Sequence, residues 1–176
     1  MVKVKLYLLT ALFLASTIIN AAETEQVTFN NGEDSLSGHY LLPDRGKPKA
    51  VILFVHGDGP LEYDAHGYYQ LIWKRLLRQG FVIFSWDKPG VGASIGNGLS
   101  QSTQQRQQEV QSAIDFLQIN YGYPGDQTGL LGYSRAGWVE PAMVNNNPSI
   151  GFIIGIGFAI NWLEQSWYLT HVRLVN

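Results

Sequence analysis

The sequence contains no cysteine among its 176 residues. That absence excludes disulfide bonds, thiolate metal sites and lipid attachment to a cysteine in this chain. Charged residues are scarce as well, at 15%, whereas about 25% is usual for soluble domains. Because 45% of the residues are apolar, the composition predicts one domain with a well-packed core and excludes a largely disordered chain.

Basic residues are not in excess either, since 12 lysines and arginines stand against 14 aspartates and glutamates. Proteins that bind nucleic acid usually carry a basic face that contacts the phosphates. We therefore expect no nucleic acid partner.

The first 22 residues have the organisation of a secretory signal peptide. Lys3 and Lys5 form a basic start, residues 6–19 form the apolar run, and two alanines follow as small residues for cleavage. The apolar run is shorter than the roughly 20 residues of a membrane-spanning helix. We expect a cleaved signal, a periplasmic or secreted product without a membrane anchor, and one domain over residues 23–176.

Apolar runs alternate with helical periodicities along the rest of the chain. The patterns predict strands over 27–30, 35–42, 50–55, 81–86, 128–131 and 150–156, and helices over 68–80, 103–119, 135–145 and 162–172. The first two strands read as a hairpin. The alternation that follows predicts an α/β fold with a mostly parallel sheet and helices on both faces. On the helix over 103–119, Val110, Ile114 and Leu117 form the apolar face, and we expect its Gln and Arg residues on the outer side.

A serine at a tight turn is the most informative local feature. Segment 132–137 reads Gly-Tyr-Ser-Arg-Ala-Gly, so Ser134 has a small residue two positions before it and two after. That spacing fits the sharp strand-to-helix turn called the nucleophile elbow. It predicts Ser134 as a nucleophile, the N–H of Arg135 as an oxyanion donor, and Tyr133 beside the substrate. The alternative is an ordinary helix-capping serine.

A second loop, His56-Gly-Asp-Gly-Pro, follows the predicted strand 50–55. Glycines allow backbone amides to converge on a ligand, so we expect the Asp58 N–H to be the second oxyanion donor and Gly57 and Gly59 to border the substrate. The Asp58 carboxylate should point away from the developing negative charge. Alternatively, the segment is a plain glycine-rich turn and His56 a loop histidine without a role as base.

Three segments carry a resemblance to a known family: residues 51–60, the loop Trp-Asp-Lys-Pro-Gly-Val-Gly-Ala-Ser over 86–94, and residues 131–138. In order and spacing they resemble landmarks of the α/β-hydrolase superfamily. The chain looks most like bacterial secreted serine hydrolases of the dienelactone hydrolase and serine aminopeptidase type, over about residues 25–170. The resemblance implies a small ester or peptide substrate, cleavage through an acyl-enzyme on Ser134, and a structural loop after the fourth strand in which Asp87 is not catalytic.

The rest of a catalytic triad is not evident. A serine nucleophile works with a histidine and a carboxylate, which in this fold follow it in the order Ser, acid, His. Only 42 residues follow Ser134, while roughly 70 would complete the sheet. We therefore expect a partial fold whose last strands are missing, and weak or absent activity. Glu164 with His171 is a poor substitute because both fall in one predicted helix; Glu140 and His66 are expected at the surface.

Two further alternatives concern function. The chain could be an inactive remnant or a binding protein that associates through the exposed edge strand 150–156. Its glycines at 90–92 and 151–157 could form a nucleotide-binding turn, but the first pattern lacks a third glycine in register and the second lacks an acidic residue about 20 positions later. The sequence therefore predicts no organic cofactor and no metal.

Overall fold

A computed structural model describes residues 24–43, 46–145, 147–158 and 162–175. The predicted signal peptide lies outside the described residues. The strands are β1 Thr24–Asn31, β2 Asp34–Leu41, β3 Val51–Val55, β4 Val82–Trp86, β5 Thr128–Tyr133 and β6 Phe152–Ile156. The helices are α1 Gln70–Arg78, α2 Thr103–Tyr121, α3 Glu140–Val144 and α4 Trp162–Val175.

The strands form one sheet in the order β1-β2-β4-β3-β5-β6. β1 pairs with β2, and β2 with β4, in antiparallel fashion, whereas β3, β4, β5 and β6 are mutually parallel. All residues of β3, β4 and β5 are buried, as expected for continuous apolar runs covered on both faces. The predicted mostly parallel sheet with an antiparallel N-terminal hairpin is confirmed.

Helices cover both faces of the sheet. α1 packs Trp73 and Leu77 into one core cluster, and α2 packs Val110, Ile114 and Leu117 into the other. A capping box between Ser102 and Gln105 starts α2, so two of its orphan N–H groups are satisfied at the first turn. Among the described residues, no helix combines the length and apolar character that a membrane crossing needs.

The prediction that the arginine of α2 lies on its outer side is wrong. Arg106 is only 6% exposed, and Glu109 is buried beside it. Arg106 Nη2 donates to the His56 carbonyl, and Glu109 Oε1 accepts from Trp86 Nε1 at 2.6 Å. Buried charges are tolerated where they have such partners, and these contacts connect α2 to the loops above the sheet.

The predicted continuous helix over 135–145 is also wrong. The chain forms a short 3-10 helix, Ser134–Trp138, and then the separate helix α3. Pro141 explains the break, because it has no N–H to donate to a carbonyl four residues earlier. Proline is tolerated in a first helical turn, and Pro141 lies in the first turn of α3.

Candidate active site

A strained turn joins β5 to the segment that follows it. Ser134 comes directly after Tyr133, the last residue of β5, and has a left-handed backbone with φ 50°. This conformation costs an L-residue about 1–2 kcal/mol, and such strain concentrates at functional sites. The chain therefore turns sharply at the serine that the sequence pattern singled out.

Small residues on both sides of Ser134 are sterically required. A Cβ atom added to Gly132 would collide with Glu140 Oε1 and lie 2.6 Å from Ala136 Cβ. Ala136 itself is fully buried. Since real Cβ atoms do not approach other atoms so closely, larger residues at these two positions would force the strand and the following helices apart.

The loop after β3 lies against this turn. Because Val55 of β3 pairs in parallel with Gly132 of β5, the loops that follow both strands emerge at the same edge of the sheet. A Cβ added to Gly57 would lie 3.2 Å from the Tyr133 carbonyl oxygen and 3.5 Å from Ser134 Cβ. The two sequence segments that we identified as candidates are thus in contact.

The side chains of Asp58 and Arg135 join the two loops at the surface. Arg135 Nη1 donates to Asp58 Oδ1 at 2.7 Å, with side-chain exposures of 39% and 73%. The hydrogen bond from Arg135 holds the pKa of the Asp58 carboxyl below its usual value. Exposed pairs of this kind contribute little stability, but the pair does neutralise the carboxylate next to the candidate oxyanion donors.

Two buried cations hold the loop after β3 by its carbonyl groups. Lys88 Nζ donates to the carbonyls of Gly57 at 3.2 Å and Gly59 at 2.7 Å, and Arg106 holds that of His56. In a trans peptide the N–H points opposite to the C=O. By fixing the Gly57 carbonyl, Lys88 therefore orients the Asp58 N–H away from itself. Burial lowers the pKa of Lys88 to about 8.

Lys88 and Arg106 are functional candidates that the sequence analysis missed. The sequence does contain a pattern that indicates burial of Arg106. This residue precedes Val110 and Ile114 at four-residue spacing and therefore lies on the buried face of α2. Lys88 follows the buried strand β4 by two residues, but lysine is so rarely buried that sequence alone favours a surface position.

His56 is a structural histidine. Its Nε2 donates to the Trp86 carbonyl at 2.6 Å, so in the neutral ring Nδ1 accepts from the Tyr69 hydroxyl at 3.0 Å. Burial lowers the pKa of His56 to about 3, which keeps the ring uncharged. Both nitrogens are occupied, and the ring has no nitrogen left to accept a proton from Ser134. This geometry agrees with the alternative that His56 is a loop histidine.

The substitute acid and base considered from sequence lie elsewhere. His66 is exposed in the segment before α1, and His171 is exposed on α4, where its ring stacks on Trp167 with centroids 5.2 Å apart. Glu164 is exposed on α4 as well. Within the described ranges, no group of three or more His, Asp or Glu residues is arranged to hold a metal ion.

Glu140 is not at the surface, contrary to the prediction. It is fully buried under the turn, its Oε1 faces Gly132, and neither carboxyl oxygen has a hydrogen-bond partner among the described residues. Burial raises the pKa of Glu140 to about 8, against an opposing effect of Arg106. The sharp turn at Ser134 brings the start of α3 back over β5, which is why this carboxyl points inward.

Asp87 organises the loop after β4. Its Oδ1 accepts from the Tyr63 N–H at 2.8 Å and its Oδ2 from the Ala93 N–H at 3.1 Å. Gly92 has φ 54°, and a Cβ there would collide with the same carboxylate. Oδ2 of Asp87 thus closes the turn after β4, whereas Oδ1 joins this loop to the segment after β3.

Comparisons with known proteins agree with this architecture. The family described as serine aminopeptidase, S33, matches residues 46–172. Similar solved structures include the esterase Pf2001 from Pyrococcus furiosus, with a TM-score of 0.68 and 19% identity over 82% of this chain and 55% of that one. The α/β hydrolase GrgF from Penicillium sp. sh18 has a TM-score of 0.67 and 18% identity over 86% of this chain and 53% of that one. A proline iminopeptidase from Mycobacterium smegmatis has a TM-score of 0.66 and 16% identity over 86% of this chain and 50% of that one. No curated protein sequence matches the chain.

The chain spans about half the length of these structures, so the sheet described above is part of their α/β-hydrolase fold. The family match covers well over half of the 176 residues. On this match, the chain belongs to the serine aminopeptidase family of α/β-hydrolases.

Proposed function

We propose that this chain is a serine hydrolase that cleaves ester or peptide bonds, with Ser134 as the nucleophile. The observation that carries the proposal is the left-handed Ser134 at the end of β5, next to Gly57, where an added Cβ would lie 3.5 Å from Ser134 Cβ. The nucleophile of an α/β-hydrolase is presented on such a turn. A helix-capping serine does not need this strained backbone, since N-cap residues have ordinary extended φ.

In the proposed reaction, Ser134 Oγ attacks the carbonyl carbon of the substrate and the carbonyl oxygen becomes an oxyanion. The N–H groups of Asp58 and Arg135 donate to that oxygen, while Gly57, Gly59 and Tyr133 border the substrate. Collapse of the intermediate releases the alcohol or amine, which takes up the serine proton. Water then attacks the acyl-enzyme and releases the acid.

The proton of Ser134 needs an acceptor for full activity. His56, the histidine of the adjacent loop, is not that acceptor, because its ring nitrogens already bond the Trp86 carbonyl and the Tyr69 hydroxyl. Oxyanion donors and binding alone retain roughly a 10³-fold acceleration over water in serine hydrolases that lack triad members. We therefore propose slow acyl transfer for this chain by itself.

Fluorophosphonate labelling tests the proposal. We expect the folded protein to form a covalent adduct on Ser134, and Ser134→Ala to abolish it. Ser112→Ala is a matched control, because Ser112 lies on α2 away from the loop and its hydroxyl contacts Asn31. Labelling that persists in Ser134→Ala, or that is equally fast in unfolded protein, would contradict a pre-organised nucleophile.

The substrate class is proposed from the relatives. The structural neighbours include an esterase and a proline iminopeptidase by name, which supports a small ester or peptide substrate. The N-terminal segment supports export of the mature protein to the periplasm or medium, as the sequence predicts.

A second candidate function is association through the edge of the sheet. β6 is the last strand in the described sheet, and its Ile153 and Ile154 are 36% and 39% exposed. On α4, Trp167 and Tyr168 are exposed by more than 60%. Exposed edges with apolar side chains favour pairing with another chain.

Sedimentation velocity over a range of protein concentrations distinguishes this candidate. Association predicts larger species that grow with concentration and that diminish when Ile154→Lys puts a charge on the edge. A compact monomer at every concentration would contradict it.

A further inference from the structure

A left-handed turn lies between the loop after β3 and the start of α1. Three consecutive residues, Ala65, His66 and Gly67, have φ values of 51°, 58° and 84°. This conformation is unfavourable for alanine and histidine, because their Cβ atoms crowd the backbone. Strain of this kind persists where surrounding contacts fix it, and it concentrates at functional sites. The turn sets the position of the two tyrosines that follow it, Tyr68 and Tyr69.

Hydrogen bonds hold this turn in place. The Ala65 N–H donates to the Glu62 carbonyl at 2.9 Å, and the Tyr69 N–H donates to the Asp64 carbonyl at 3.2 Å. The Asp64 carboxylate also accepts from Gln70 Nε2 at 3.0 Å. These bonds close the turn and connect it to the first residue of α1, so the strained residues and the tyrosines after them keep their positions.

Both tyrosines contact the ring of Tyr133, the residue before Ser134. Tyr69 stacks on this ring with centroids 4.7 Å apart, and Tyr68 meets it edge-on at 5.9 Å with the ring planes at 70°. Tyr69 is 2% exposed, and its hydroxyl bonds His56, so it belongs to the core. Tyr68 is 69% exposed. It therefore presents an aromatic surface to solvent beside the nucleophile elbow.

The exposure of Tyr68 differs from that of an ordinary surface residue. Isolated exposed apolar side chains are common and need no explanation. Tyr68, however, follows a strained turn and packs against the residue that precedes the candidate nucleophile. Leu71, in the first turn of α1, is 76% exposed and adds a second apolar side chain nearby in the sequence. An exposed tyrosine ring can stack on another aromatic ring at little cost in side-chain entropy.

We propose that Tyr68 is a specificity-determining residue and that its ring packs against an aromatic ring of the substrate. The preferred substrates are then esters or amides that carry an aryl group close to the scissile bond, on the acyl side or on the leaving-group side. This inference rests on the proposed function for the bond that is cleaved, whereas the aromatic contact depends on Tyr68 and not on the nucleophile. Its test is therefore a binding measurement.

Three neutral esters serve as probes. Phenyl acetate and methyl benzoate are isomers that carry the ring on the alcohol side and on the acid side, and cyclohexyl acetate has a saturated ring instead. Nuclear magnetic resonance titration measures the Kd of each with the Ser134→Ala protein. Adding Tyr68→Ala should raise the Kd of at least one aromatic ester by about twofold to tenfold, the range for one aromatic pair. The Kd of cyclohexyl acetate should change less.

Matched variants on the same background separate the aromatic contact from a general change in the surface. Tyr68→Phe keeps the ring and should bind the aromatic esters like the parent protein. Tyr168→Ala removes another exposed tyrosine, on α4, and should leave every Kd unchanged. Circular dichroism verifies that each variant is folded. The aromatic ester whose Kd rises more in Tyr68→Ala identifies the side of the substrate that contacts the ring.

Equal Kd values for both aromatic esters with and without Tyr68→Ala would overturn the inference, even if fluorophosphonate labels Ser134. The same holds if cyclohexyl acetate loses as much affinity as the aromatic esters, or if none of the three esters binds. Conversely, a loss confined to the aromatic esters in a protein whose Ser134 is never labelled would support the aromatic site and contradict the proposed nucleophile. The failure of either idea is thus distinguishable from that of the other.

Discussion

Replacing the buried Glu140 with glutamine is expected to change how the stability of the protein depends on pH. In the folded protein the pKa of Glu140 is raised to about 8 by burial, against 4.5 for an ordinary glutamate. Between these pH values the folded state keeps a proton that the unfolded state releases. The contribution of Glu140 to stability is therefore fully present below pH 4.5 and is lost as the pH rises through 8.

The size of this effect follows from the pKa difference. At 1.36 kcal/mol per pKa unit, the change from 4.5 to about 8 corresponds to up to about 5 kcal/mol of unfolding free energy. Glu140→Gln keeps the shape of the side chain without an ionisable group, so this loss should disappear. At pH 4 both proteins bury an uncharged polar group, and their stabilities should agree within about 1–2 kcal/mol.

Urea unfolding of both proteins from pH 4 to pH 9 measures this difference. His56 and Lys88 titrate in both proteins, so subtracting one pH profile from the other isolates Glu140. Glu33→Gln, in an exposed hairpin turn, is the matched control and should show the wild-type profile. Parallel profiles for wild type and Glu140→Gln would refute the conclusion that this carboxyl is buried and has no hydrogen-bond partner among the described residues.

Three further results are expected. Gly132→Ala should lower the free energy of unfolding by about 1–3 kcal/mol and slow fluorophosphonate labelling, because the new Cβ collides with Glu140. Urea unfolding measures the change in stability, and the labelling rate measures the change at Ser134. Lys88→Met should slow the labelling of Ser134 about tenfold or more without changing its site, because the Gly57 and Gly59 carbonyls lose their donor; an unchanged rate would refute the positioning role. Export should yield a mature chain beginning at Glu23, and an intact mass that includes residues 1–22 would contradict the signal prediction.

The sheet could be predicted from the sequence because its signals are local. The apolar runs of β3 and β4 predict those strands to within a residue at each end. Glycine and alanine around Ser134 predict its turn, since larger residues cannot fit there. The helix after this turn was predicted too long because the pattern analysis did not weigh Pro141, which separates the 3-10 helix from α3.

The charged residues of the interior were not predicted, and the reason is physical. Glutamate, lysine and arginine are buried only where tertiary contacts compensate them, and those contacts join residues far apart in sequence. Arg106 meets His56 across fifty positions, and Lys88 meets Gly57 across thirty-one.

The most direct test of the account is a crystal structure of the protein after reaction with a fluorophosphonate. We predict a phosphonyl group on Ser134 Oγ, with its oxygen accepting hydrogen bonds of about 2.7–3.1 Å from the backbone N–H groups of Asp58 and Arg135. A phosphonyl group on another residue, or one on Ser134 whose oxygen turns to solvent away from both amides, would contradict the assignment of nucleophile and oxyanion site.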